Sequence, residues 1–250
     1  MLSCCIKAYN KGFYPQFGSN LYVITLTKSQ YTFERKFEKE LVKHLGVYSL
    51  QKLISSIIEN PSVTISGDIC TGKTTLAKTL AKKMSLGIYS LGDVYRTLAD
   101  KQILSIEDFS RNLANNIADA RLLDWATTYE ACMVIAKGDI LDNGVVVDGK
   151  LAGYYGSFLK YLGKDNVFNI YLFCDEEIKR KRVSQRHNLH GQGHLKFLQR
   201  RDYDALRFST ILNIYPDDYP SYDCYYNTGK IPIREILIDL NKKILDRCYK

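Results

Sequence analysis

At 250 residues, 46% of them hydrophobic and 25% charged, the chain has ordinary globular composition. It is long enough for one α/β domain with an appendage, or for two small domains. The net charge of +8 is spread: residues 1–60 hold eight Lys/Arg against four Asp/Glu, and residues 61–250 hold 27 against 23. Such a surface can draw nucleotide anions to a site. No recognition module or aromatic ladder for long nucleic acid accompanies it, so nucleic acid is not the expected partner. Seven Cys without regular spacing exclude a disulfide framework and a CxxC zinc site. A reducing, cytoplasmic setting is expected. No window approaches the run of about eighteen apolar residues that a membrane span needs. The first 33 residues contain no acidic residue, as in a transit peptide, but also no Arg, and an ordinary folded N-terminus is the expectation.

In chain order, "LYVITL" (Leu21–Leu26) reads as a strand. "TFERKFEKELVKHL" places Phe33, Phe37, Leu41 and Leu45 on one helical face. "SLQKLISSIIE" (Ser49–Glu59) is a second amphipathic helix, stopped by Asn60-Pro61. These stripes are expected to pack on the main domain; a helix pair that binds a protein partner is the alternative. From Ser62 strands and helices alternate. "SVTIS" is a strand, Thr74–Met84 a helix, and "LGIYS" a strand, with Asp93 placed to cap the helix that follows. Helical segments run from about Ser105 to Lys137. "VVVD" (Val145–Asp148) and "VFNIYLFC" (Val167–Cys174) are strands, Asp175–Arg186 and Leu195–Asn213 helices, "YDCYYN" (Tyr222–Asn227) a strand, and Ile233 onward a helix. Five strands separated by helices predict a parallel sheet covered on both faces.

The chemistry centres on "ISGDICTGKTT". Gly67, four residues, then Gly72, Lys73 and Thr74 follow a strand and open a helix, the context in which this spacing cradles a triphosphate. The cofactor-binding loop is therefore Gly67, Asp68, Ile69, Cys70, Thr71, Gly72, Lys73, Thr74 and Thr75. Four downstream features favour transfer of the phosphate over a switch or motor. Arg96 lies one helical turn after the second strand, where a cation can hold an acceptor phosphate. Asp148 ends an apolar strand as a second Mg²⁺ ligand beside Thr74. Lys150 follows it. A cationic segment, Arg180, Lys181, Arg182, Arg186, Arg200, Arg201 and Arg207, comes last. Phosphoryl transfer needs positioning and positive charge more than covalent help. No N-K-x-D guanine-reading motif is present.

"GDICTGKTT", "SLGDVYR", "VVVDGKLAGYY", "RDYDALRF" and "YDCYYNTG" occur in the order seen in nucleoside monophosphate kinases, and the chain most resembles the short-form cytidylate kinases. The resemblance covers about Ser62–Lys250 and leaves residues 1–60 as an unmatched extension before a kinase-like domain of residues 61–250. It implies an α/β P-loop NTPase fold with a helical acceptor-binding insert and an Arg-rich lid. It implies ATP and Mg²⁺ as cofactors, a nucleoside monophosphate (CMP or dCMP) as acceptor, and Lys73, Thr74 and Asp148 at the donor phosphates and metal. Arg96 and Lys150, with Asp93 and Asp204, would bind the acceptor. Arg182 and Arg186 would close as lid arginines, Arg201 and Arg207 would touch phosphates, and Asn227-Thr228-Gly229 would pass the donor base.

Three departures stand out. Cys70 replaces a Gly usual in the family, at a position that favours a permissive backbone. Lys150 replaces an Arg, exchanging a bidentate fork for a point charge. The R…D-x-x-R segment is one residue short, which leaves Arg200 and Arg201 as alternatives. Asp119, Arg121 and Asp124 fall in the insert as base readers or as solvated charges. His187, His190 and His194 read as a lid tip in preference to a zinc site, since no Cys lies near. Phosphoryl transfer to another small acceptor, or a regulatory nucleotide-binding protein with a degenerate site, are the competing functions.

Overall fold

The structure, a computed structural model, describes residues 30–138, 143–187, 192–215, 220 and 222–248, with the side chains of residues 30–32, 186–198 and 246–248 left aside. The strand expected at Leu21–Leu26 and the side chains of Arg186, His187, His190 and His194 lie outside this description. Two helices open the described chain, α1 (Gln30–Leu45) and α2 (Val47–Ser55). The alternating part follows as β1 (Ser62–Gly67), α3 (Lys73–Met84), β2 (Gly87–Ser90), α4 (Leu91–Lys101), α5 (Ile106–Asn115), α6 (Ile117–Lys137) and β3 (Val145–Asp148). It continues with α7 (Ala152–Tyr161), β4 (Val167–Phe173), α8 (Glu176–His187), α9 (Gln192–Ile211), β5 (Cys224–Asn227) and α10 (Ile233–Cys248).

The five strands form one parallel sheet in the order β2-β3-β1-β4-β5. β1 is central and buried along its whole length: Val63 and Ile65 enter the core, and the hydroxyls of Ser62, Thr64 and Ser66 are buried with hydrogen-bond partners. Its neighbours lie on opposite sides, so the chain reverses direction of winding at the carboxyl end of β1, where ligands of open α/β sheets bind. Register places Asp148 beside Ile65 and beside Ser90, so the ends of three strands meet at one point.

Each face of the sheet carries its own core. On one, Leu76 and Leu80 of α3 pack with Ile236, Leu240 and Ile244 of α10. On the other, α1, α2, α5, α6, α7 and α9 share a larger cluster that contains Phe37, Leu41, Leu53, Trp125, Phe158 and Leu212. The stripe Phe33, Phe37 and Leu41 is buried, as the helical spacing predicts. The second helix stops at Ser55, short of the expected Glu59. The Ser55 and Ser56 hydroxyls donate to the Lys52 carbonyl, and the Ser56 N–H turns to Leu53 O at 3.1 Å, which closes the helix early. The connection to β1 is held by Lys164, almost fully buried, whose Nζ donates to Ile58 O at 2.7 Å and Asn60 O at 2.8 Å.

Helix α7 carries no clear periodic signal, because two of its core-facing positions are glycines. A Cβ at Gly156 would sit 2.1 Å from Asn169 Oδ1, so only glycine lets the helix lie this close to the sheet. Another difference concerns capping. The helix after β2 begins at Leu91, not after Asp93: Ser90 is the cap, its Oγ accepting from the Asp93 N–H at 3.3 Å. Asp93 is thereby freed to turn its carboxylate toward Arg96.

Candidate functional site

The phosphate loop follows from β1. Gly67 has φ 144°, and a Cβ there would meet Leu172 O at 2.2 Å, so the strand exit needs glycine. Cys70 has φ 60°, a left-handed conformation that costs an L-residue roughly 1–2 kcal/mol. The loop tolerates the side chain but pays in backbone strain. Internal bonds hold the shape: Asp68 Oδ1 accepts from the Ile69 N–H at 2.7 Å, and Thr71 Oγ1 donates to Asp68 O at 2.8 Å. Lys73 Nζ donates to the same carbonyl at 2.6 Å. Burial lowers the Lys73 ammonium to about 8, against the opposing attraction of the Asp68 carboxylate.

At the sheet's edge of the cleft, Thr74 Oγ1 donates to Asp148 Oδ2 at 2.7 Å. Asp148 is 2% exposed, and its Oδ1 is buried with no hydrogen-bond partner. A hydroxyl and an unsatisfied carboxylate oxygen are hard donors of the kind Mg²⁺ takes, so these residues fit that ion. Among the described residues no cluster of His, Cys, Asp and Glu could hold a metal by itself. Mg²⁺ on such a site would share its shell with phosphate and water.

Loop, helix starts and strand ends line one cleft of about 730 Å³. Across it from Lys73 lies a second charged group. Lys150 Nζ donates to Asp204 Oδ2 at 2.7 Å, and Ser110 Oγ donates to Asp204 Oδ1 at 2.5 Å. Burial opposes the Asp204 charge, but Lys150, Arg207 and Arg200 outweigh it and hold the carboxyl down to about 2. Arg207 is 3% exposed, with Nε 2.9 Å from Asp124 Oδ2 and its guanidinium over the rings of Tyr95 and Phe208. Tyr95 Oη donates to Asp124 Oδ1 at 2.5 Å and meets Thr127 Oγ1 at 3.1 Å. Burial pushes the Asp124 carboxyl up, against the pull of Arg207. Arg96 lines the same cleft, its Nη2 2.5 Å from Asp93 Oδ1. Burial works against the Asp93 charge, but Arg96 and Lys78 hold its carboxyl below the usual range.

The cationic segment divides. Arg200 lines the cleft, with Nε 4.0 Å from Asp204. Arg201 instead turns to Glu176, Nη1 to Oε1 3.4 Å. The open choice between the two thus falls to Arg200 for the cleft, because α9 presents residues 200, 204 and 207 on one face. Arg182 reaches the cleft from below. Its Nη1 donates to Cys70 O at 3.1 Å and Thr228 Oγ1 at 3.0 Å, and its Nη2 to Thr228 O at 2.7 Å. It ties the phosphate loop to the turn after β5 while lining the cleft. Lys181 pairs with Glu177 in solvent, away from the cleft. Asn116 caps α6, its Oδ1 accepting from the Asp119 N–H and its Nδ2 donating to the Asp119 carboxylate, and Arg121 is exposed. Asp124 alone of that trio is buried at the site.

Sequence reading missed Tyr95, Ser110 and Lys179. Lys179 is 2% exposed and bridges Asp68 Oδ2 (2.9 Å) and Glu176 Oε1 (2.6 Å) beneath the loop. The three-residue step from Glu176 was its one available signal. Tyr95 and Ser110 carried none, since hydroxyls on amphipathic helices are common.

Comparison with known proteins adds an independent line. A family model described as an AAA domain matches residues 63–193. The cytidylate kinase of Archaeoglobus fulgidus is 29% identical over 171 residues, which is 67% of this chain and 85% of that protein. The cytidylate kinase of Thermoplasma acidophilum is 27% identical over 183 residues, 73% of this chain and 91% of its own. Among solved structures, shikimate kinase from Aquifex aeolicus covers 74% of this chain and 98% of its own at TM-score 0.40 and 18% identity, too slight a likeness to bear on function. No helix among the described residues is long and apolar enough to cross a membrane.

Proposed function

We propose, on the premise that the chain belongs to the AAA domain family, that it transfers the γ-phosphoryl group of ATP to a nucleoside monophosphate, CMP or dCMP, giving the diphosphate and ADP. The observation that carries this reading is the pairing of two charged groups across one cleft. Lys73 with the loop amides suits a triphosphate, and Lys150, Arg96, Arg200 and Arg207 suit a monophosphate facing it. A switch or motor needs no second group. The similarity to cytidylate kinases supports the acceptor.

In this reading the loop N–H groups and Lys73 hold the β- and γ-phosphates. Thr74 and Asp148 would hold Mg²⁺, which would supply positive charge against the charge that develops in transfer. Lys73 leaves the Asp68 carbonyl for phosphate, and the low-dielectric setting that depresses its charge strengthens the new contact. Lys150, shared with Asp204, and Arg96, shared with Asp93, hold the acceptor phosphate. Its oxygen attacks the γ-phosphorus in line as the bond to the β-phosphate oxygen breaks and ADP leaves. Arg200 and Arg207 keep the equatorial charge balanced. Asp204, held ionised, and Ser110 meet the acceptor's polar edge. Tyr95 and Phe109 wall it from water.

The test is an acceptor panel. Purified chain with ATP and Mg²⁺ is offered CMP, dCMP, UMP, AMP and GMP, with Lys73→Ala as control. Diphosphate from CMP or dCMP, absent in the control, is the expected result. Intact ATP binding without product from any acceptor would overturn transfer in favour of a regulatory role. Equal rates with all five would overturn the cytosine assignment alone.

A further inference from the structure

Among the described residues, the extension before the family match, from residue 30 on, packs in one of the two core clusters. The core cluster that contains Phe33, Phe37, Leu41, Leu50 and Leu53 also contains Phe109, Leu151, Tyr155 and Leu212, which line the acceptor end of the cleft. The cluster on the opposite face, built on the helix that opens at Lys73, contains no described residue of the extension. Contact between the extension and the site therefore runs to the acceptor side.

It runs through rings. The Phe37 ring lies 5.9 Å from Trp125, 6.2 Å from Tyr155 and 5.0 Å from Phe158. His44 stacks on the far part of the same Trp125 at 5.0 Å and 26°. Trp125 directly follows Asp124, whose carboxylate orients Arg207 and Tyr95. Tyr155 lines the cleft and joins its hydroxyl to Thr128 Oγ1 at 3.0 Å. A close-packed core transmits a displacement because it has no free volume to absorb it. Two rings of α1 thus bear on the two side chains that back the acceptor pocket.

We infer that α1 is a positioning element for the acceptor site: Phe37 and His44 fix Trp125 and Tyr155, and through them the Asp124–Arg207 pair. The helix is part of the acceptor pocket's back wall, although it touches no substrate. This rests on the kinase reading above.

The experiment uses the full chain with Phe37→Leu, which keeps an apolar side chain, and His44→Ala, at the partly exposed edge of the stack. Urea unfolding establishes that each variant is folded. Steady-state rates give separate KM values for CMP and for MgATP. Trp125 is the chain's single tryptophan, so an emission change on CMP binding is assigned to the ring that Phe37 and His44 contact. The expected result is a KM for CMP raised about fivefold or more with the KM for MgATP within about twofold. A matching rise in the CMP concentration that half-saturates the Trp125 emission change is expected with it. Should Phe37→Leu fail to fold, His44→Ala decides. Equal rises in both KM values, or no change in either, would overturn the inference while a wild-type chain active on CMP leaves the kinase reading standing. A wild-type chain that phosphorylates no acceptor overturns both.

Discussion

Raising the pH from 7 to 9 tests the state of the phosphate-loop lysine. Lys73 is depressed to about 8, first by burial, with Lys150 adding repulsion and the Asp68 and Asp148 carboxylates opposing it. The nucleotide phosphates favour the ammonium, so binding raises this pKa above its value in the ligand-free protein. The sign follows: above about 8, binding takes up a proton, and affinity falls as pH rises through that value. In the ligand-free protein the ammonium is about nine-tenths populated at pH 7 and about one-tenth at pH 9, a roughly tenfold loss of affinity. A phosphate's second ionisation, near 6, is complete over this range and adds little. Isothermal titration with MgATP at pH 7, 8 and 9, in two buffers of different ionisation enthalpy, measures both the affinity and the proton uptake. Lys73→Ala should bind weakly with a flat profile. A flat wild-type profile, with no proton uptake at pH 8 to 9, would refute the reasoning, because Lys73 would then keep its charge without phosphate.

Two further outcomes follow from the same site. Cys70→Gly relieves a left-handed residue, and against a Cys70→Ala reference it should be more stable by about 0.5–1 kcal/mol, strain relief outweighing the backbone freedom that glycine gains on unfolding. Thermal melts should separate the two by about 2–3 °C, and Gly no more stable than Ala would show that the loop is unstrained. Asp124→Ala removes the nearer carboxylate from the buried Arg207 cation and leaves it only Asp204, 3.7 Å away, so urea unfolding should register a loss of about 3 kcal/mol. A loss below about 1 kcal/mol would mean that water or Asp204 already satisfies Arg207.

The elements of the sheet were legible because each rule acts within a few residues. Apolar runs became β1, β3 and β4, and glycine spacing after β1 became the phosphate loop. Helix ends were less so. Ser90 and Asp93 are both good capping residues, and the choice fell on Ser90 because the chain leaves β2 directly into the helix. Helix α7 was hidden because the glycine that lets it approach the sheet also erases its apolar stripe. Arg182 shows the same limit: its charge and spacing were readable, but its guanidinium serves two backbone carbonyls, which no sequence pattern records.

By itself, then, the sequence determined the Gly-rich loop between strand and helix and the parallel α/β sheet, and it marked Lys73, Asp148, Lys150 and Arg207 as candidates for a charged site, with Asp204 added by the family resemblance. The first four follow from local spacing and side-chain chemistry. Only the tertiary structure decided which cation of the pair Arg200 and Arg201 enters the cleft, that Asp124 and Tyr95 back Arg207, and that α1 packs behind Trp125 and Tyr155. Those contacts join segments from 25 to 88 residues apart, as Arg201 meets Glu176 and Phe37 meets Trp125, and they depend on how helices pack on a shared face. Spacing along the chain carries no information about that.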